Sequence, residues 1–297
     1  MRLLVTGGSG FVGGHVLRGM ADDGHAVAAV VRGGSDTSRL DTRAQVLVHD
    51  GSTEGLHALV AGFRPDAVLH IASKFVAQHQ PADIDPLIEA NLRFGCQLLD
   101  AMSRSGVDAL VDFGTSWQHF HTAPDEPQAY HPVSLYAATK QAFQDLIRFY
   151  AEARGLRALT LKLSDTYGPG DTRAKVIALL NRISASGETL AMSPGDQTFN
   201  LSHVDDVVGG VRVALARVTA APAGTVESWA VRGEEQMTLR DFVQLYREVT
   251  GRAVDIEWGK RPYRDREVMK PWLGPLLPGW RQRVPLREGL AALVADV

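Results

Sequence analysis

The chain has 297 residues, 45% of them hydrophobic and 22% charged, with a formal net charge of -3. That composition suits a globular chain long enough to bury a large core without covalent staples. It excludes a basic nucleic-acid-binding surface, a disulfide framework (Cys96 is the lone cysteine) and any apolar run of the roughly 18–20 residues that span a membrane. Residues 1–7 are too short and glycine-terminated for a signal peptide, so a cytoplasmic protein is expected. Cys96 lies in an apolar stretch and is expected in the core.

The first half alternates strand-like and helix-like segments. Residues 2–6, 26–31, 46–49, 67–71, 109–114 and 157–163 read as buried strands. Helical spacing predicts 11–22, closed by Gly24, then 53–62, 84–105 and 135–154. Such alternation implies right-handed crossovers and a parallel sheet with helices on both faces. After Gly168 a helix over 175–186, a strand over 198–203, a helix over 204–217 and a strand over 226–231 follow. Thr238 is placed to cap a helix over 239–250, and the segment beyond, rich in Pro, Trp and Arg, reads as an irregular lobe over the sheet's carboxyl edge. The expected division is a dinucleotide-binding domain over 1–166, rejoined by 201–232, and a substrate lobe from 167–200 and 233–297.

The first strand–helix junction reads Thr6-Gly7-Gly8-Ser9-Gly10-Phe11-Val12-Gly13. Glycines three apart permit a tight turn, close approach of a pyrophosphate and close helix–strand packing. The N–H groups of Phe11 and Val12, at the helix start, point at such a phosphate. Position at the first junction separates this pattern from a bland glycine-rich turn. An NAD site commonly ends its second strand with an acid that holds the ribose 2′-hydroxyl. Here that strand ends in Arg32, and Arg39 follows seven residues on. A guanidinium suits a 2′-phosphate, so NADP(H) is favoured and NAD(H) stays possible. Asp50, before Gly51, reads equally as an adenine contact or as a turn former.

Tyr136 and Lys140 stand four apart at a predicted helix start, on one face. The ammonium is expected to draw the phenol's pKa down from about 10. The pair makes a general acid for a carbonyl oxygen that receives hydride. A hydroxyl at the end of the fifth strand can orient that carbonyl. Ser116 is the choice there and Thr115 the reserve.

With these residues in place the chain resembles the extended short-chain dehydrogenase/reductase family of NAD-dependent epimerases and dehydratases. The marks are TGGSGFVGG at 6–14, HIAS at 70–73, Asn91, GTS at 114–116, YAATK at 136–140, YGPGD at 167–171 and HVDD at 203–206. Within the family, GTSWQHF, KLSDTYGPGD and MSPGDQ resemble nucleotide-sugar 4-ketoreductases such as the CDP-abequose and CDP-paratose synthases. The resemblance implies a Rossmann-type doubly wound α/β fold with a smaller mixed α/β C-terminal lobe. It implies catalytic roles for Ser116, Tyr136 and Lys140, with Lys140 also on the nicotinamide ribose. Gly51, Ala72 and Asn91 join the implied cofactor set, and a homodimer through a four-helix bundle is implied.

Three departures narrow the reading. Dehydratases of the family carry Asp-Glu after the active-site threonine, where this chain has Trp117-Gln118, so dehydration is not expected. Many relatives carry Arg-Asp before the position of His203 for the substrate phosphates, where this chain has Phe199-Asn200. Arg173, Lys175, Arg261 and Arg264 are the candidate replacements. Asp165 replaces the usual Asn before Tyr-Gly-Pro and reads as a sugar-hydroxyl contact or a loop cap. Lys74 is a further candidate substrate contact.

His119, His121 and His131 lack metal-ligand spacing with a fourth donor, so no metal is expected. The HVDD segment is expected to cap a helix, and Trp258, Trp272 and Trp280 to be core of the small lobe. The leading reading is NADPH-dependent reduction of a 4-keto-6-deoxy nucleotide sugar at C4. The alternatives are an NAD-dependent nucleotide-sugar 4-epimerase, a non-catalytic NADP(H)-sensing protein, and a reductase of another small carbonyl compound. No nucleic-acid or membrane partner is expected.

Overall fold

The computed structural model describes residues 1–120 and 129–295. The first half builds β1 (Arg2–Thr6), α1 (Phe11–Asp22), β2 (Ala26–Arg32), β3 (Gln45–His49), α2 (Thr53–Phe63) and β4 (Ala67–His70). Then come α3 (Ile84–Ile88), α4 (Phe94–Arg104), β5 (Ala109–Thr115), α5 (Leu135–Arg154), β6 (Arg157–Leu163) and β7 (Asp165–Tyr167). The remainder holds α6 (Val176–Ser186), β8 (Thr189–Ala191), β9 (Thr198–Phe199), β10 (Leu201–His203), α7 (Val204–Ala220) and β11 (Val226–Val231). It ends with β12 (Met237–Thr238), α8 (Leu239–Thr250), β13 (Asp255–Glu257) and α9 (Leu286–Ala295).

Seven parallel strands form the central sheet in the order β11-β6-β5-β4-β1-β2-β3. Alternate residues of each strand feed opposite cores. Leu3 and Val5 pack with α1 and α7, while Leu4 packs with α2, α4 and α5. Each such side chain, taken fully out of water, contributes roughly 1.5–3 kcal/mol. A sheet buried on both faces explains why its strands read as unbroken apolar runs. Ser52, Ser134 and Thr238 accept backbone N–H bonds at the starts of α2, α5 and α8. A third core joins Tyr167 to α6, α8 and α9. It covers the sheet's carboxyl edge, where the strand order reverses between β1 and β4 and a crevice opens.

Several expectations need correction. The helix expected over 84–105 runs through from 84 to 104, but with a π-turn at Glu89–Arg93 in its middle that carries the buried Asn91. The strand expected over 198–203 is two strands with different partners, β12 and β7. The break is Asn200, whose Nδ2 donates to the carbonyls of Gly233 and Glu235. Beyond 251 the chain is less irregular than expected: β13 pairs with β8, and α9 packs on α8. Cys96 is half-buried rather than core. His203 does cap α7, through Nδ1, whereas the carboxylate of Asp206 receives the backbone N–H groups of Arg283 and Val284. Trp280, expected in the small lobe's core, is instead buried in the main core beside α7, whereas Trp258 packs against the third core and Trp272 is buried. Among the described residues no helix is long and apolar enough to cross a membrane.

Candidate active site

A cleft of about 1860 Å³ runs over the carboxyl ends of the strands, from the glycine loop to the C-terminal lobe. At one end Gly7 turns with φ +74, and a Cβ there would meet the Ala72 backbone nitrogen at 2.6 Å. A Cβ on Gly13 would lie 2.0 Å from the Gly7 carbonyl oxygen, and one on Gly10 3.3 Å from it. The backbone is thus drawn into a cradle that side chains would fill. Gly10 precedes α1 without a side-chain cap, and the first turn carries no acid, so the N–H groups of Phe11 and Val12 stay available to an anion. These features fit a dinucleotide pyrophosphate.

Arg32 is exposed on the rim of the cleft at the end of β2 and forms no ion pair among the described residues. Arg39 is exposed and lies outside the cleft lining. Asp50 does line the cleft, and its Oδ1 accepts from both the backbone and the hydroxyl of Ser52. The turn-forming reading of Asp50 therefore holds beside Gly51 (φ +90), with its second oxygen left over. Ala72 lines the cleft wall, its N–H bonded to Thr6 Oγ1. Asn91 does not line the cleft. Its Oδ1 accepts from Ser73 Oγ and Lys74 N, and its Nδ2 donates to Lys74 O and Thr139 Oγ1. All four bonds of the amide are spent fastening the loop after β4 to α5.

At the centre of the cleft stand Thr115, Ser116 and Tyr136. The Thr115 hydroxyl accepts from Trp117 N and Thr115 N donates to Gln118 Oε1, closing a tight turn over Ser116–Gln118. Both hydroxyls line the cleft; that of Thr115 also accepts a bond from the turn, which leaves its own proton free to donate. Lys140 lies one helical turn below Tyr136, 2% exposed and outside the lining. The expected fall of the phenol's pKa is not found. Enclosure pushes Tyr136 up to about 12, a hydrogen bond with Ser73 pulls the other way, and the charges of Asp112 and Asp165 push it further up. The Lys140 ammonium itself lies 3.8 Å from Asp112 Oδ1.

Toward the lobe, every other lysine or arginine of the lining carries a carboxylate. Lys175 Nζ is 2.7 Å from Asp165 Oδ1, Arg173 is paired with Asp171 at 2.8 Å, and Arg264 with Glu267 at 2.8 Å. Lys74 Nζ is 3.8 Å from Asp83. Arg261 is exposed and outside the lining. The Lys175 ammonium sits 4.8 Å over the ring of Phe75, which meets Tyr136 edge-on at 5.0 Å. Gln118 is fully buried and donates to Gln141, away from the cleft. Asn200 lines the cleft with its amide tied to the backbone, and Phe199 packs on Phe242.

His119 lines the cleft, stacked on Trp272 with ring centroids 4.2 Å apart. Its Nδ1 bonds the Ala129 carbonyl, so Nδ1 carries the proton and Nε2 accepts from the buried Lys162 ammonium at 2.6 Å. His131 is exposed and bridges to His119 through the backbone, and His121 lies outside the described residues. Phe75, Asp112 and Lys162 escaped the sequence reading. For the last two the signal was present: a charge set inside an apolar strand, as in Val111-Asp112-Phe113 and Leu161-Lys162-Leu163.

Comparison with known proteins follows the same lines. The CDP-abequose synthase of Salmonella typhimurium is 25% identical over 303 residues, spanning 98% of this chain and 97% of that protein. A dTDP-glucose 4,6-dehydratase of Streptomyces griseus is 26% identical over 328 residues, spanning 99% and 93%. The crystal structure of UDP-glucose 4-epimerase from Thermotoga maritima with UDP-glucose superposes with a TM-score of 0.86 at 24% identity, covering 99% of this chain and 98% of that one. At that identity the superposition speaks for the fold alone. The model of the NAD dependent epimerase/dehydratase family matches residues 3–227. The chain belongs to that family, and it is an NAD(P)-dependent enzyme of the short-chain dehydrogenase/reductase kind.

Proposed function

We propose that the protein reduces the C4 ketone of a 4-keto-6-deoxy nucleotide sugar with NADPH, as an NDP-hexose 4-ketoreductase. One observation carries this reading: Ser116 and Tyr136 face the cleft with Lys140 beneath, and no acid–base pair follows them. The positions after Ser116 hold an indole and a buried amide bonded to Gln141, so nothing there removes a proton from a sugar carbon.

A nicotinamide cofactor, when bound, supplies hydride to the carbonyl carbon. Tyr136 donates its phenolic proton to the carbonyl oxygen as charge develops there. Its raised pKa keeps that proton in place at neutral pH. Ser116 donates a hydrogen bond to the same oxygen and holds it toward the phenol. Lys140 offsets the charge left on the phenolate. Gly7, Gly10, Gly13 and the N–H groups of Phe11 and Val12 cradle the pyrophosphate, with Gly51 and Ala72 beside the adenosine and nicotinamide halves. Arg32 supports NADPH, since an unpaired guanidinium on the rim suits a 2′-phosphate. Lys74, Asp165, Arg173 and Lys175 are the proposed substrate contacts, joined by Arg264.

The domain division read from the sequence is kept, supported by the separate core over the carboxyl edge. A homodimer is supported by Ile84 (42% exposed) and Ile88 (40%) on α3 and Phe149 (57%) on α5, apolar side chains left facing outward. A cytoplasmic location completes the reading.

The test follows reduced-nicotinamide absorbance with an enzymatically prepared 4-keto-6-deoxy nucleotide sugar, with NADPH and NADH in parallel. Stoichiometric loss with NADPH, abolished in Tyr136→Phe, is the expected result. No loss with either cofactor, together with NAD released on denaturing the protein, would replace this reading with a 4-epimerase.

A further inference from the structure

Asp112 is the one charged residue of β5, and it is fully buried. Its Oδ2 accepts from Gln144 Nε2 at 2.8 Å and lies 3.5 Å from Thr160 Oγ1, which also donates to Gln144 Oε1. Its Oδ1 accepts no hydrogen bond, and Lys140 Nζ lies 3.8 Å from it. The carboxylate and the ammonium are 0% and 3% exposed. His70 of β4 is the other titratable group of this layer, bonded through Nδ1 to Thr6 Oγ1. That hydroxyl also accepts from Ala72 N.

A carboxylate cut off from water is costly unless a cation compensates it, and an apolar side chain would fill this place in the strand at less cost. The groups that face Lys140 are Asp112 from β5, His70 from β4, and Tyr136 and Gln144 from its own helix. Asp112 is the sole anion among them.

We propose that Asp112 is a positioning residue of the catalytic centre: its buried carboxylate holds the Lys140 side chain in place beneath Tyr136. The kinetic consequence rests on the ketoreductase reading above, whereas the ion pair itself can be tested without substrate.

The experiment uses Asp112→Asn, Lys140→Met and the double variant, each in the full chain, with two readouts. In thermal denaturation each single variant strands one buried charge and lowers Tm, and the double variant recovers most of the loss. Additive losses would overturn the proposal. Should a single variant not fold, a folded double variant supports the pairing, and failure of all three overturns it. In NADPH-dependent reduction, Asp112→Asn loses kcat, and Asp112→Glu, which keeps the carboxylate, regains most of it. Loss of equal size in both variants would mark a merely structural role. If the wild type reduces no 4-keto sugar, the ketoreductase reading fails, and the stability cycle still decides this proposal.

Discussion

Arg32→Ala removes the only lysine or arginine of the cleft lining without a carboxylate partner among the described residues. Against a 2′-phosphate the guanidinium forms charge-assisted hydrogen bonds, which contribute about 1.5–3 kcal/mol. Because Arg32 is exposed on the rim, water and salt reduce this to the lower end, about 1.5–2 kcal/mol. That is a weakening of NADPH binding by roughly 10- to 30-fold. NADH has no phosphate at that position, so its affinity stays within about twofold. The measurement is a fluorescence titration of both cofactors against wild type and variant, at low and at high salt. The wild-type preference for NADPH should shrink as salt rises, and the variant's should not. Equal weakening of both cofactors, or none for NADPH, would refute the role of Arg32 and with it the NADPH preference.

Other perturbations follow from the same geometry. Gly13→Ala places a methyl 2.0 Å from the Gly7 carbonyl, a backbone atom that cannot swing aside, and should cost about 1–3 kcal/mol and abolish NADPH binding. Gly14→Ala, whose Cβ meets nothing nearer than 3.4 Å, should keep Tm and binding, as calorimetry and titration would check. Burial pushes His70 from 6.5 down to about 4, so the unfolded chain takes up that proton first as pH falls. Stability is fully present above pH 6.5 and lost between 6.5 and about 4, by about 3 kcal/mol from this group. Urea unfolding across that range should show the loss, and His70→Gln should reduce it, with the rest due to His119, His203 and His49, which shift in the same direction. With Tyr136 at about 12, the proton-donating form persists on the alkaline side, so reduction should hold its rate to at least about pH 9. An alkaline limb near pH 7 would show that another group delivers the proton.

Much of the fold was legible because a parallel sheet buried on both faces writes itself as apolar runs between amphipathic helices. The runs at 2–6 and 157–163 coincide with β1 and β6, and 11–22 and 135–154 with α1 and α5. What failed depended on long-range bonds. The π-turn at Asn91 exists because that amide reaches Lys74 and Thr139, and the break at Asn200 because its amide reaches 233 and 235. The short pairings β8–β13 and β9–β12 join segments far apart in sequence and too short to carry a period. At the site, the glycine spacing and the Tyr136–Lys140 pair could be read directly, since both are local. The phenol's raised pKa could not, because it comes from enclosure by the cleft and from the charges of Asp112 and Asp165 on other elements.

The most direct test of the proposed function is the fate of the transferred hydrogen. Wild-type protein would be incubated with a 4-keto-6-deoxy nucleotide sugar and NADPH carrying deuterium at the transferable C4 position, and the product analysed by NMR and mass spectrometry. We expect one deuterium per product, at C4 of the sugar as a single stereoisomer, with one NADPH oxidised for each. A product that has changed configuration at C4 without deuterium, while tightly held NAD stays with the protein, would contradict net reduction and leave an epimerase.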